Sequence, residues 1–389
     1  MEKNEFIEIL SSYKYAFLSI GNSYDTCFRN VLAASNSIYH QLQELSLTDA
    51  SWKFFIAQYD LKNELENLTS NNPSVFNENE FSYFIPEQLS LDFPDNEIET
   101  LGQLRHSHHT WHSSVNCLST RDEYLLKVRK IKEHIQKGDI YVANFCISFK
   151  ACVTGINPML LFYLLNSKSK APFSSLYKLN DTYVICSSPE RFLSREKNTL
   201  VSQPIKGTSA RRENSAEDLQ EKKNLFESQK ERNENVMIVD VVRNDLSRLA
   251  NRGTVKVDEL FGVYSFRHVH QMISTVSCEI NSDLTFEDIF KATFPMASMT
   301  GAPKIKAMEL MDQYENFRRE FYSGTMGYVD NKGDFDANVI IRSIYYNVRT
   351  GDLSFSVGSA ITDKCDPEKE YEECLLKAKS IIDVLSSLS

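Results

Sequence analysis

No part of this 389-residue sequence is apolar for long. The longest uninterrupted run, Met159 to Leu165, has seven residues, against the ~20 that a membrane-spanning helix needs. Glycine (13) and proline (10) are both scarce, which excludes collagen-like and low-complexity chains. A basic excess is missing too. With 43 Lys and Arg against 53 Asp and Glu, the net charge is −10, so neither nucleic acid nor membrane is an expected partner. The eight cysteines form no C-x-x-C pair and no regular spacing; they read as reduced thiols rather than as a disulfide framework or zinc site. The first residues carry acids and no apolar run of signal-peptide length, so the expected location is the cytoplasm. What is present is ordinary for a globular protein, 42% apolar and 25% charged, and long enough for one composite domain or two closely packed ones.

Residues 1–118 carry no motif with a readable chemistry; Phe81 to Phe93 is aromatic enough for strands. His106, His108, His109 and His112 lie close together, but with no carboxylate or cysteine nearby and linker-like flanks they read as an exposed loop rather than a metal site. From Thr120 the pattern sharpens. Thr120 and Glu123 form a capping box, Tyr124, Val128, Ile131 and Ile135 recur at helical spacing, and Gly138 stops the helix. Tyr141, Ala143, Phe145, Ile147 and Phe149 then alternate as in a half-buried strand. Further strands are expected at Thr182–Ser187, Val255–Val257, Met272–Ile280, Tyr322–Val329, Val339–Tyr346 and Leu353–Val357. Helices are expected at about 216–249, 285–292, 302–314 and 367–386. This mixture without a βαβ rhythm reads as α+β with large sheets.

In the last helix Asp366 is the N-cap and Pro367 the first helical residue. Glu370, Glu373 and Lys377 fall at i, i+3 and i+7 on one stripe, and Leu375, Ala378, Ile382 and Leu385 on an apolar one. A solvated polar face satisfies the same spacing. A second i, i+3 pair, Glu231 and Glu234, opens an apolar helix that is expected to be largely buried. Buried carboxylates need a cation, and two facing pairs of Glu would suit a hard divalent ion with oxygen ligands. Lys206, before Gly-Thr in QPIKGT, is either an exposed loop lysine or an amine nucleophile with Arg211 and Arg212 near it. The loop SMTGAPK presents Thr300 and Gly301 before a helix start that is an anion site in principle. Arg342, inside an apolar strand, needs an anionic partner.

Taken together, SSPERF, QPIKGT, ENVMIVDVVRNDL, SMTGAPK, YSGTMGY, IIRSI and GSAITDKCDPEKEYEE resemble the chorismate-utilising enzymes, in family order from about Thr120 to Ile382. The resemblance implies an α+β fold of two large twisted sheets with outer helices and an Mg²⁺-dependent chorismate site between them. It makes 119–389 the chorismate-binding catalytic domain and 1–118 a short N-terminal region of the same fold. It further implies Glu234 and Glu373 as Mg²⁺ ligands, with Glu231 and Glu370 as second carboxylates. Arg342 and Tyr322 would hold the enolpyruvyl carboxylate, helped by Gly358 and Ser359, with Lys377 near the metal-bound carboxylate. Either His270 or Gln271 would stand near the leaving group.

Within the family, the isochorismate and salicylate branches carry a water-activating lysine where this chain has Val142, and a Glu where it has Gln203. The residue before Gly-Thr is typically Ala in anthranilate synthases. Lys206 in that place marks the aminodeoxychorismate branch, in which the lysine attacks the ring and Glu190 of SSPERF protonates the leaving hydroxyl. An ion pair between Glu190 and Arg191 or another arginine is the structural alternative for that carboxylate. No cysteine sits in a Gly-x-Cys-x-Gly elbow, so ammonia is expected from a separate glutamine amidotransferase subunit. Rival functions are anthranilate synthesis and a non-catalytic chorismate- or Mg²⁺-binding module.

Overall fold

A computed structural model describes residues 3–21, 30–104 and 109–388. Cys27, His106 and His108 lie outside the described residues. Among those described, the strands form two antiparallel sheets. The ten-stranded sheet runs in the order Gly301–Ala302, Val142–Thr154, Asp352–Thr362, Ser343–Asn347, Thr182–Ser188, Phe173–Leu179, Tyr15–Ile20, Asn30–Ser35, Gln88–Leu91, and Thr110–Cys117 also pairs with Val142–Thr154. The nine-stranded sheet runs Ile205–Ala210, Val269–Glu279, Thr199–Gln203, Arg191–Glu196, Phe335–Asn338, Thr325–Val329, Lys53–Ala57, Phe81–Phe84, with Lys256–Ser265 also on Val269–Glu279. Strands from the first 118 residues are therefore woven into both sheets. No helix among the described residues is long and apolar enough to cross a membrane.

Side-chain alternation sorts the core into two layers. Phe145, Ile147 and Phe149 pack outward with Leu161, Phe162, Ala378 and Ile381 of the outer helices. Cys146 points the other way, into a layer shared by Tyr177 and Val184 of one sheet and Phe55, Leu200 and Met326 of the other. The strand read as half-buried is thus buried on both faces, because helices cover one and a second sheet the other.

Local signals placed the helix ends well. Thr120 accepts from the Glu123 N–H in a full capping box, and Gly138 ends that helix at φ 84°; Asp366 caps Pro367–Ser386. Other expectations need correction. The helix expected at 216–249 is two, Ser215–Glu227 and Gln229–Ser247, because Ser228 takes ψ 109° and caps the second through its side chain. That second helix buries only one face and leaves Val236 exposed. The buried stripe of the last helix runs through Glu370, Cys374, Ala378 and Ile381, with Leu375 exposed. His112 belongs to the edge strand Thr110–Cys117 rather than a loop and meets Thr154 Oγ1 at 3.0 Å.

One buried ion pair fastens the layers. Arg319 and Glu315, 1% and 3% exposed, form a two-pronged contact of 2.8 and 2.6 Å. Arg319 also donates to Met299 O and Asn144 O, both at 2.7 Å. Glu315→Ala would leave an unpaired buried guanidinium, so it should destabilise the fold by about 3–5 kcal/mol. Urea unfolding measures this; a loss under about 1 kcal/mol would show the pair to be dispensable.

Candidate active site

Two of the places where the chain passes from one sheet to the other each deliver a functional side chain. Thr182–Ser188 belongs to the larger sheet and Arg191–Glu196 to the smaller, so Pro189 and Glu190 form one crossing. Phe335–Asn338 and Ser343–Asn347 flank the other. The strand expected at Val339–Tyr346 is therefore only Ser343–Asn347, and Arg342 lies just before it, at a left-handed φ of 54°. The crossings hold each other: Val339 N–H donates to Glu190 O at 3.0 Å and Ser187 N–H to Arg342 O at 3.2 Å.

Beside them opens a cleft of about 560 Å³, lined from both sheets and roofed by the Gln229–Ser247 and Pro367–Ser386 helices. It brings together Glu190, Lys206, Glu231, Glu234, Gln271, Tyr322, Arg342, Gly358, Glu370, Glu373 and Lys377.

Three expected residues stand elsewhere. Thr300 is buried and bonds back to Met296 O at 3.2 Å. Gly301 pairs with Ala143, and a Cβ there would lie 2.2 Å from Val142 O, so this glycine serves sheet packing; the loop meets the cleft through Ser298 and Met299 instead. The following helix begins only at Lys304, away from the cleft lining. Ser359 alternates away from Gly358 toward the helix layer, where its hydroxyl meets Tyr124 Oη at 2.9 Å; it also hydrogen-bonds the Glu370 carboxylate. The choice between His270 and Gln271 falls to strand alternation. His270 faces Asp218 and Ser265, at 3.0 and 2.9 Å. Gln271 faces the cleft, and its buried Oε1 has no partner among the described residues.

Glu190 is not the partner of Arg191. The guanidinium takes Asp336 instead, at 2.8 and 3.0 Å, and Gln203 Oε1 at 2.6 Å. This clamp fixes the residue after Glu190 and the strand end before Lys206. Burial pushes the Glu190 carboxyl up to about 7, against the Ser298 hydroxyl, the Lys206 charge and the Ile205 N–H, which favour the anion. Lys206 is half-buried and, among the described residues, makes no hydrogen bond or ion pair. Its neighbour Gly207, at φ 93°, lets the Glu231 side chain approach; a Cβ there would stand 3.1 Å from Glu231 Oε2.

The carboxylates differ in state. Burial raises Glu234, opposed by Lys206 and Lys230, and burial with the Glu373 charge raises Glu370. For Glu373 the effect of burial is outweighed by Lys377, whose Nζ lies 2.7 Å away, and by Lys230 and Lys206, so its carboxyl falls below the usual range. Lys230 was missed in the sequence, although its position four residues before Glu234 puts it on the same stripe. Its Nζ is 3.9 Å from Glu234 and 3.6 Å from Glu370. Among the described residues no three metal-binding side chains converge tightly enough to hold an ion as they stand, but the four carboxylates supply hard oxygen donors on facing sides of one cleft. Burial pulls Arg342 below the usual guanidinium range, opposed by Tyr322 and Glu373, and among the described residues the Arg342 guanidinium has no hydrogen bond or ion pair.

The profile of a family described as chorismate binding enzyme matches residues 23–383. Aminodeoxychorismate synthase component 1 of Escherichia coli (strain K12) is 36% identical over 275 residues, 71% of this chain and 59% of that protein. Anthranilate synthase component 1 of Aquifex aeolicus is 33% identical over 266 residues, 68% of this chain and 53% of that protein. The chain thus spans under two thirds of the length of these curated relatives. A crystal structure of anthranilate synthase component I from Streptococcus pneumoniae TIGR4 superposes with a TM-score of 0.74 at 22% identity, covering 95% of this chain and 92% of that one. At that identity the likeness shows the shared α+β fold.

Proposed function

The chain belongs to the chorismate-binding enzyme family, and from that premise we propose that it converts chorismate and ammonia to 4-amino-4-deoxychorismate. The observation that carries this reading is Lys206, an amine in the cleft with no hydrogen bond or ion pair among the described residues and backed by a carboxyl raised to about 7. Those are the parts of nucleophilic catalysis coupled to a general acid. The relatives named aminodeoxychorismate synthase component 1 support the same branch.

In this mechanism Arg342 and the Tyr322 phenol bind the enolpyruvyl carboxylate, and Gln271 Oε1 accepts from the ring hydroxyl. Neutral Lys206 forms a C–N bond at the ring carbon next to the one bearing the carboxylate, both ring double bonds shift, and the C–O bond breaks as Glu190 gives its proton to the hydroxyl, which departs as water. Ammonia then attacks the carbon that bore the hydroxyl, both double bonds shift back, and Lys206 leaves as an amine. The Glu190 carboxylate takes the proton released by the incoming nitrogen. Glu231, Glu234, Glu370 and Glu373 fit Mg²⁺, which when bound would neutralise the ring carboxylate of the substrate.

The component 1 names of the relatives support a second component, and we assign ammonia supply to a glutamine amidotransferase in that place. The seven described cysteines are free thiols, in keeping with a reducing cytoplasm.

A pH profile tests Glu190. Its acid form, dominant below about 7, is the active one, so at fixed free ammonia the slope of log kcat against pH should drop by about one unit through that pH. Glu190→Gln should abolish this break; a wild-type profile without a break from pH 6 to 9 would remove Glu190 from the role. The reading as a whole is tested by incubating the protein with chorismate, Mg²⁺ and high ammonium and separating the products. A non-fluorescent amino product is expected. Fluorescent anthranilate would overturn the branch, and unchanged chorismate, even with an added amidotransferase, would favour a binding module.

A further inference from the structure

Lys230 has no part in the reaction above, yet it bridges the two roofing helices. Lys377 is committed: it pairs with Glu373 at 2.7 Å and donates to Gly358 O at 2.9 Å. Lys230 instead lies 3.9 Å from Glu234 Oε1 on its own helix and 3.6 Å from Glu370 Oε1 on the last. Both spacings exceed hydrogen-bond length, so the ammonium is held by the field between the carboxylates rather than by a formed bond. The partners are unequal. The Glu234 and Glu370 side chains are 11% and 5% exposed, whereas that of Lys230 is 55% exposed and reaches in from the cleft mouth on a flexible stem.

We propose that Lys230 is a resident counterion of the Glu234 and Glu370 pair, and that a divalent cation enters the cleft only by displacing it. The inference rests on the metal reading given above. Two buried carboxylates on facing helices without a cation are costly; a tethered ammonium removes that cost while the metal is absent. It also lowers the metal affinity of the substrate-free protein, because the carboxylates are open to metal only while Lys230 is withdrawn. A dianionic substrate gives the displaced ammonium a new partner, so metal and substrate assist each other's binding by the same factor.

Calorimetric titration of Mg²⁺ into the chelator-treated, substrate-free protein tests this. Lys230→Met and Lys230→Gln should each bind Mg²⁺ at least about tenfold more tightly than wild type. Lysine acetylation by acetic anhydride, mapped by peptide mass on the wild-type chain, supplies a second readout that does not depend on either variant folding. Saturating Mg²⁺ should raise labelling of Lys230 severalfold while leaving exposed Lys223 unchanged. Equal Mg²⁺ affinity in all three proteins, or Lys230 labelling unmoved while Mg²⁺ binds, would overturn the counterion role and leave the metal reading standing. Absence of Mg²⁺ binding in all three, with chorismate present as well as without it, would overturn the metal reading and this inference together.

Discussion

Lys206→Ala should lose at least about a thousandfold in kcat for formation of the amino product, with little change in thermal stability. The side chain makes no hydrogen bond or ion pair among the described residues and is half-buried, so its removal breaks no structural contact. What disappears is the only step in which the protein itself bonds to the ring. Lys206→Arg separates this from a purely electrostatic role. The Lys206 charge acts on Glu190, Glu234 and Glu373, and arginine keeps that charge but cannot act as a neutral amine. The arginine variant should therefore be as inactive as the alanine variant. Recovery of a tenth or more of wild-type kcat by arginine would mean that the charge alone is used.

The second large effect is expected at Glu373. Glu373→Gln keeps the shape and removes one charge from a group of four carboxylates lining the cleft, leaving Lys377 without the partner it has at 2.7 Å. If that carboxylate holds Mg²⁺, turnover should drop about a thousandfold and the Mg²⁺ concentration for half-maximal rate should rise by about two orders of magnitude. Glu372→Gln, one residue away and exposed, serves as the control and should stay close to wild type. Activity of Glu373→Gln within about threefold of wild type would exclude the carboxylate from the metal site.

What could be read in the sequence follows the range of the forces involved. Helix ends set by neighbours were legible, as at Thr120 with Glu123 and Asp366 before Pro367, because a cap is satisfied within three residues. The two glutamate pairs were legible as stripes, and the cleft does join them. Three kinds of feature were not. The crossing at Arg342 looks like strand because its neighbours are apolar, yet those residues are buried while passing from one sheet to the other. The inward or outward sense of Ser359 was hidden because both faces of its strand are buried, so alternation of polarity no longer marks a side. The Arg319 and Glu315 pair depended on contacts with Met299 and Asn144, far away in sequence. Lys230 was within reach of the same i, i+4 reasoning that found the glutamates.

The central claim is that Lys206 becomes covalently bound to the substrate. The protein is incubated with chorismate and Mg²⁺ without ammonia, quenched in acid and digested, and the peptide containing Lys206 is weighed and sequenced by mass spectrometry. The expected result is a fraction of that peptide heavier by chorismate less one water, with the added mass on Lys206, and its discharge as 4-amino-4-deoxychorismate once ammonium is supplied before the quench. An unmodified Lys206 in a preparation that does convert chorismate when ammonium is present would contradict the account.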